Sequence, residues 1–556
     1  MNESANAVEQ VVLALQSRRA AGHSVSMSAR IELCRESLAA VVAAADDWAN
    51  AAIKAKGLPD GSPLLAEDIL SGPVVVARQL RLMMQTLQSI VAGKPPRLPG
   101  SCYRLTGGRL AVPVFPTSGY FDSLTFMGLK AHVRMNEGID ASQIHGGLLK
   151  TVQFEETRGI SVVLGAGNVS SIPATDSLHQ IVFEGRQVLL KMNPVNEYLA
   201  PIFRRAFAAF IREGLLEIVT GAADVGSLLI HHSNVDCVHI TGAAATHDAI
   251  VWGTDADDAA VRRRENRPLL NKPVTSELGN VTPWIIVPGQ YSKRQLESQV
   301  KHVAASITNN ASFNCLATKV ILTWDKWTQR EQFLSMLQQC LEKIPPRPAY
   351  YPGAEKRFQR FASSDVSVDE RNGLPWTLLI DQSISERPEL FQEESFVCVC
   401  AETQLAADSP EQFLQVATEF VNNQMGGTLC ASVTVPTEFR KSQAAAFNKC
   451  LDDLRYGSVC INQWSGLAYG FTSPPWGAYP GNTIQNVGSG IGSVHNTYLL
   501  DRFEKTVLEG PLINFPTPVW FSDNRNAVNV AKYLLQLYHR PSVFRLPKLF
   551  VAALNG

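Results

Sequence analysis

The stretch Gly159-Ile-Ser-Val-Val-Leu-Gly-Ala-Gly-Asn168 begins a run of alternating strand-like and helix-like segments. Apolar segments typical of buried strands lie at Ile160–Leu164, Val188–Lys191, Leu215–Thr220 and Val235–Thr241. Helix-like segments lie at Glu197–Arg212 and Ala244–Trp252. This alternation predicts a parallel sheet that is covered by helices on both faces.

A second α/β series begins near Thr275. Strands are expected around Pro283–Val287 and Lys319–Thr323, on either side of a helix near Gln295–Ala311. The first hundred residues are predicted to be helical, because apolar side chains recur there every three or four positions. These are Ile31, Cys34, Leu38, Val41, Ala45 and Trp48. At 556 residues the chain is expected to form two or three domains.

The composition is that of an ordinary globular protein, with 45% hydrophobic residues and a net charge of −1. A charge so close to zero argues against bulk electrostatic attraction to nucleic acid or to an anionic membrane, and leaves local charged patches open. The ten cysteines are scattered and form no CxxC pair, so no metal site is expected. The sequence shows no secretory signal and no apolar run long enough to span a membrane, and the expected location is cytoplasmic.

Two short motifs indicate nucleophilic chemistry. Cys315 lies in Asn309-Asn-Ala-Ser-Phe-Asn-Cys-Leu-Ala-Thr, and Glu277 lies upstream in Thr275-Ser-Glu-Leu-Gly. A thiol nucleophile needs a nearby base to complete turnover through an acyl intermediate, and Glu277 is the candidate. A cysteine alone would be weak evidence, because an unpaired cysteine is usually a small buried hydrophobic residue. The two motifs together favour catalysis.

Taken with further motifs, these segments resemble the aldehyde dehydrogenase superfamily over roughly residues 30 to 510. The further motifs are Leu164-Gly-Ala-Gly-Asn168, Phe391-Gln-Glu-Glu-Ser-Phe396, Pro474-Pro-Trp-Gly-Ala478 and Ser489-Gly-Ile-Gly492. The resemblance implies an α/β fold with a Rossmann-like doubly wound cofactor domain, a second α/β catalytic domain and a small β oligomerisation arm. The implied boundaries are 1–118 and 152–272 for the cofactor domain, 273–475 for the catalytic domain, 119–151 and 485–515 for the arm, and 516–556 for a C-terminal extension.

The resemblance also implies roles for three residues. Cys315 matches the nucleophile that attacks an aldehyde, and Glu277 matches the general base that activates water against the resulting thioester. Asn168 matches the amide that holds the oxyanion, together with the backbone N–H of Cys315. The sequence departs from the family pattern after Glu277, where Asn280 and Val281 replace a glycine and a lysine.

Four further residues match positions that bind the cofactor in the family. Lys191 resembles the lysine at the adenosine ribose, and Gly242 belongs to the loop beneath the pyrophosphate. Glu394 and Phe396 match the glutamate and the aromatic residue at the nicotinamide ribose. The glutamate that favours NAD in close relatives is displaced to Glu197, so the sequence leaves NAD and NADP both open.

The implied activity is oxidation of an aldehyde to a carboxylic acid by a homodimer or homotetramer. An acylating enzyme that uses coenzyme A, or an acyl reductase, is the alternative, and a catalytically idle cofactor-binding scaffold is a second one. Residues 516–556 lie beyond the resemblance. Their amphipathic pattern and their basic, apolar end predict docking on the protein itself or on a neighbouring subunit, with peripheral contact to a membrane as the alternative. An apolar tail is also a hint of a hydrophobic aldehyde.

Overall fold

The smaller of two large sheets has six strands. The computed structural model describes residues 3–20, 24–119, 121–153, 157–362 and 373–556. In spatial order the six strands are Gly490–Ile491, Val274–Glu277, Cys237–Thr241, Ile160–Leu164, Gln187–Lys191 and Leu216–Val219. All neighbouring pairs are parallel except the first. The predicted parallel sheet is confirmed, and its strands Gln187–Lys191 and Cys237–Thr241 are buried along their whole length, as expected for a sheet covered on both faces.

Helices surround this sheet. They are Glu3–Ala20, Met27–Ala55, Leu65–Ile69, Val75–Val91, Ile172–Val182, Ala200–Ala206, Ala208–Arg212, Ala223–His231, Ala244–Trp252 and Ala256–Arg264. The predicted single helix 197–212 is wrong in its continuity, because a 3-10 segment at Pro194–Leu199 is followed by two short α-helices. Phe207, with φ −112° and ψ 21°, leaves helical geometry between those two helices.

The larger sheet has ten strands. In spatial order they are Tyr103–Arg104, Leu110–Phe115, Lys130–Met135, Phe503–Glu509, Ser458–Ile461, Cys430–Thr434, Thr282–Ile286, Thr318–Trp324, Val399–Leu405 and Thr377–Leu379. The last seven are parallel to one another and the first three run antiparallel. A separate two-stranded sheet pairs Pro475–Trp476 with Val494–His495. The second predicted α/β unit is therefore present.

Helices alternate with the strands of this second unit and its connections along the chain. They are Asp122–Thr125, Gly147–Val152, Lys293–Thr308, Arg330–Glu342, Ala354–Phe361, Glu389–Gln392, Pro410–Asn423, Thr437–Ser442, Ala444–Asp453 and Gly466–Gly470. Short side chains define where some of them begin. Ser292 and Gln295 form a capping box, and Ser409 accepts a hydrogen bond from the N–H of Gln412. Such caps satisfy backbone donors that have no partner inside a helix.

The strands expected to form the arm extend the larger sheet. Phe503–Glu509 pairs in parallel with Ser458–Ile461 on one side and antiparallel with Lys130–Met135 on the other. Leu110–Phe115, which the sequence placed in the cofactor domain, joins the same sheet. Continuous backbone hydrogen bonding therefore links these segments to the catalytic unit of their own chain. Their role in linking subunits stays a prediction.

Residues 516–556 pack on the protein itself. The predicted amphipathic helix is present as Ala527–His539, and a second helix follows at Leu546–Leu554. The first of these contacts the helices Met27–Ala55 and Val75–Val91. Arg78, which is buried, donates to Asp122 and to the hydroxyl of Tyr538, and so ties this helix to the core. Across the described ranges, no helix is both long and apolar enough to cross a bilayer.

Candidate active site

One cavity of 730 Å³ lies between the two large sheets. Every site residue predicted from the sequence lines it, namely Asn168, Lys191, Gly242, Glu277, Cys315, Glu394 and Phe396. They come from loops and strand ends of both sheets, and parallel strands present their carboxyl ends at one edge. The fold therefore brings together side chains that lie more than 200 residues apart in the chain. Their roles stay predictions.

The thiol of Cys315 faces the carboxylate of Glu277. Its Sγ lies 3.8 Å from Oε1 of Glu277, within hydrogen-bonding distance for sulfur. Glu277 is the last residue of the strand Val274–Glu277, and Cys315 precedes the strand Thr318–Trp324 of the other sheet. Thr282 fixes the backbone here, because its hydroxyl donates to the carbonyl of Cys315 at 2.8 Å. The arrangement places a thiol beside a carboxylate, which is the pairing that a thiol nucleophile and its base require.

Burial dominates the electrostatics of this pair. It raises the pKa of Glu277 to about 7, and the nearby charge of Asp176 raises it further. Burial also raises the pKa of Cys315 well above its usual value, and the neighbouring carboxylates of Glu277 and Glu394 add to this. In the resting protein the sulfur is therefore a protonated thiol. Glu277 titrates near neutral pH, where a general base is most useful.

A buried polar group lies behind Glu277. Thr241 is the register partner of Glu277 on the neighbouring strand, and its hydroxyl donates to Oδ2 of Asp176 at 2.8 Å. The same oxygen lies 3.3 Å from Nε2 of His239, whose Nδ1 contacts the hydroxyl of Thr275. Both partners of this Asp–His pair are almost fully buried. They form a fixed charge distribution next to the candidate base.

The turn before Cys315 has an unusual backbone. The predicted helix to Ala311 ends earlier, at Thr308, and Asn310, Ala311 and Ser312 all adopt positive φ. Side chains with a Cβ adopt this conformation at a cost, and such residues cluster at functional sites. The amide of Asn310 holds the turn in place through hydrogen bonds to the carbonyls of Asn168 and Phe313. This strained turn positions the thiol.

Asn168 is tied to the same turn. Its Nδ2 donates to the carbonyl of Phe313 at 3.1 Å. The hydroxyl of Tyr350 donates to Oδ1 of Asn310 at 3.0 Å, which braces the turn from a third segment. A side-chain amide has two N–H donors, so the bond to Phe313 leaves one for a ligand. The position fits the expected oxyanion donor.

Asn280, the departure after Glu277, fills a structural role. It is buried, and its Nδ2 donates to the carbonyl of Cys430 at 3.0 Å, while its Oδ1 accepts from the N–H of Leu429. The loop is thereby attached to the adjacent strand of the larger sheet. Gly279 before it has no room for a side chain, since a Cβ there would lie 2.3 Å from Oε2 of Glu394. The loop is shaped around Glu394.

The remaining predicted residues line the far part of the cavity. Burial lowers the pKa of Lys191 at the end of its strand. The N–H of Gly242 donates to the carbonyl of Glu277, and no atom lies within 4 Å of where a Cβ on Gly242 would be. The helix Ala244–Trp252 begins just after it, with its free N–H groups at the cavity. Glu197 instead accepts from the N–H of Gly221.

Several residues that line the cavity were not predicted from the sequence. Two of them, Tyr351 and Arg357, lie near Phe396. Nε and Nη2 of Arg357 are shielded from solvent and have no hydrogen-bond partner, and the guanidinium lies 5.9 Å from the ring of Phe396. Oε1 of Glu394 is likewise buried without a partner. No motif marks the segment around residue 351, so only the tertiary structure reveals these two residues.

Comparisons with known proteins show similarity of sequence over part of the chain. The sequence model of the aldehyde dehydrogenase family matches residues 125–352. 4-Trimethylaminobutyraldehyde dehydrogenase A from Danio rerio is 26% identical over 190 residues. That alignment spans 34% of this chain and 33% of the relative, about a third of the relative's length.

Solved structures share the fold over most of the chain. The aldehyde dehydrogenase KauB from Pseudomonas aeruginosa is 16% identical, with a TM-score of 0.58 over 91% of this chain and 89% of that one. Glyceraldehyde-3-phosphate dehydrogenase GapN from Methanocaldococcus jannaschii, solved with NADP, is 13% identical, with a TM-score of 0.59 over 91% and 95%. An NAD-dependent aldehyde dehydrogenase from Sinorhizobium meliloti is 17% identical, with a TM-score of 0.58 over 93% and 89%. The chain therefore has the fold of these aldehyde dehydrogenases, and its residues 125–352 are similar in sequence to the family.

Proposed function

We propose that the protein oxidises an aldehyde to a carboxylic acid with NAD or NADP, through a thioester on Cys315. The observation that carries this proposal is the 3.8 Å contact between Sγ of Cys315 and Oε1 of Glu277 at the wall of a large cavity. A thiol alone can form an acyl intermediate, but its hydrolysis needs a base beside it. The site supplies both groups.

Attack on the aldehyde begins from a neutral thiol. Sγ of Cys315 bonds to the carbonyl carbon while its proton passes to Glu277, and the carbonyl oxygen becomes the oxyanion of a thiohemiacetal. The second N–H of Asn168 donates to that oxygen. Removal of one such donor typically slows catalysis by about 10²–10³-fold. The strained turn at residues 310–312 holds the sulfur in place for this step.

The cavity suits a nicotinamide dinucleotide. The unpartnered Oε1 of Glu394 can accept from a ribose hydroxyl, and Lys191 can donate to a second ribose. The open backbone at Gly242 and the first N–H groups of the helix Ala244–Trp252 can accommodate phosphates. When bound, an oxidised nicotinamide would supply the hydride acceptor that oxidation of the thiohemiacetal needs. The displaced Glu197 gives no preference between NAD and NADP.

Release of the product requires a second proton transfer. Glu277 first releases to solvent the proton that it took from Cys315. It then removes a proton from water, the resulting hydroxide attacks the thioester carbonyl, and Cys315 leaves as a thiolate that regains this proton from Glu277. A carboxyl with a pKa of about 7 can accept this proton at neutral pH. The presence of Glu277 beside Cys315 favours hydrolysis over transfer to coenzyme A. Water needs a base to attack the thioester, whereas the thiol of coenzyme A depends less on one.

The test follows nicotinamide absorbance with a panel of short to long aldehydes, NAD⁺ or NADP⁺, and coenzyme A present or absent. We expect turnover without coenzyme A, loss of that turnover in C315A, and normal turnover in C102A, a matched change at another half-buried cysteine. Turnover only with coenzyme A would assign the acylating reaction. Cofactor binding without turnover of any aldehyde would favour the scaffold.

A further inference from the structure

Residues 524–556 carry positive charge only. They contain the five basic residues Arg525, Lys532, Arg540, Arg545 and Lys548, and no aspartate or glutamate, in a chain whose net charge is −1. The pKa of His539 is lowered, first by burial and then by the charges of Arg540, Arg81 and Arg545. Lys532 is paired with Asp46 at 2.8 Å, so Arg540, Arg545 and Lys548 supply the basic groups at the end of the chain.

One face of the last helix packs against the protein itself. Leu546, Leu549 and Ala552 are buried against Val530 and Leu537 of the preceding helix. These three lie at a spacing of three residues, so they form one side of the helix. The helix is therefore docked, and its other side is fixed in orientation.

The other face exposes apolar side chains. Phe544 is 88% exposed, Val543 57%, Val551 59% and Leu554 58%. Val551 and Leu554 lie three residues apart on the outer side, and Val543 and Phe544 belong to the 3-10 turn that precedes the helix. Apolar groups of this size gain free energy on leaving water, so a cluster of four marks an interaction surface.

We propose that the segment Val543–Leu554 binds the surface of a membrane rich in anionic lipid. The exposed apolar side chains would enter the headgroup region, and Arg540, Arg545 and Lys548 would contact the lipid phosphates. Charge complementarity selects this partner. Nucleic acid would satisfy the basic groups and leave four apolar side chains in water.

A second copy of the chain fits less well. In a two-fold dimer through this surface the same patch meets itself, so arginine and lysine side chains would face their own symmetry mates. Within the described residues, Arg540, Arg545 and Lys548 take part in no ion pair that would neutralise them. An anionic bilayer supplies the missing charge and an apolar phase together.

The test is co-sedimentation of the full chain with phosphatidylcholine vesicles that contain 0 to 40% phosphatidylserine. Each basic residue near an anionic surface contributes roughly 1 kcal/mol to binding. We expect binding that increases with phosphatidylserine and weakens with added salt. R540Q/K548Q should lower the partition coefficient roughly 30-fold, and F544S should also lower it. The matched changes K293Q/K441Q and V91S, at exposed sites elsewhere, should leave it unchanged.

Other outcomes would overturn the proposal. Wild-type protein that stays in the supernatant at every phosphatidylserine content excludes a membrane partner. Binding that R540Q/K548Q does not reduce excludes this surface. Light scattering that shows wild-type oligomers dissociating in F544S, with no vesicle binding, would assign the surface to contact between copies. None of these readouts depends on the proposed aldehyde oxidation.

Discussion

Sγ of Cys315 and Oε1 of Glu277 are 3.8 Å apart, although the residues are separated by 38 positions and belong to different α/β units. Glu277 ends a strand of the six-stranded sheet, and Cys315 precedes a strand of the ten-stranded one. The contact therefore forms only where the two units meet. Because the cavity removes Glu277 from water, its pKa rises to about 7, and the pair is neutral at rest below that pH.

The first prediction concerns the pH dependence of turnover. The carboxylate of Glu277 must be ionised to accept a proton from water, so the rate should rise with pH through about 7. In E277Q this inflection should disappear, turnover should fall, and any thioester that forms on Cys315 should persist because its hydrolysis lacks the base. Rapid-quench mass spectrometry of the enzyme during turnover measures it. An inflection that persists in E277Q would assign the titration to another group.

The second prediction concerns stability. The pKa of Glu277 is about 7 in the folded protein and 4.5 in a solvated chain, so ionisation favours the unfolded state as pH rises from 4.5 to 7. Above pH 7 the cost should reach about 3 kcal/mol. E277Q should therefore be more stable than the wild type at pH 8, by up to about 3 kcal/mol, and by less than about 1 kcal/mol at pH 5. Denaturant unfolding at both pH values measures this. Equal stability at pH 8 would contradict the raised pKa.

The third prediction addresses Asp176. Its negative charge raises the pKa of Glu277, so D176N should favour the carboxylate and move the inflection of the rate profile to lower pH. Asn keeps an oxygen that can accept the hydrogen bond from Thr241. The control D60N changes an exposed carboxylate and should leave the inflection in place. A profile that is unchanged in D176N would show that burial alone sets this pKa.

The fourth prediction compares two Arg–Asp pairs. Arg78 and Asp122 are buried, with side chains 2% and 0% exposed, whereas those of Arg104 and Asp140 are 55% and 65% exposed. D122N leaves a buried guanidinium without its counter-charge and should cost about 3–5 kcal/mol of unfolding free energy. D140N should cost less than about 1 kcal/mol. Chemical denaturation of both variants tests this. Similar losses in the two would contradict a role for burial.

Much of the fold could be predicted because local patterns and tertiary packing agree. The strands around Val162 and Val238 are apolar runs between helical segments, which is what a sheet buried on both faces requires. Arrangement of the strands was harder to predict. Nothing near Phe503 indicates that its strand pairs with both Ser458–Ile461 and Lys130–Met135, since strand pairing depends on contacts between distant segments.

The sequence by itself determined the α/β class. It also predicted seven residues that line the cavity, because the types and order of residues in short motifs, such as those around Cys315 and Glu277, indicate their chemistry. Tertiary structure alone decided the distances, the pKa values and the added cavity residues Tyr351 and Arg357. It also decided which face of the helix Leu546–Leu554 stays exposed. The physical reason is that burial, electrostatic coupling and surface exposure depend on every neighbour in space, and most of those neighbours are distant in the chain.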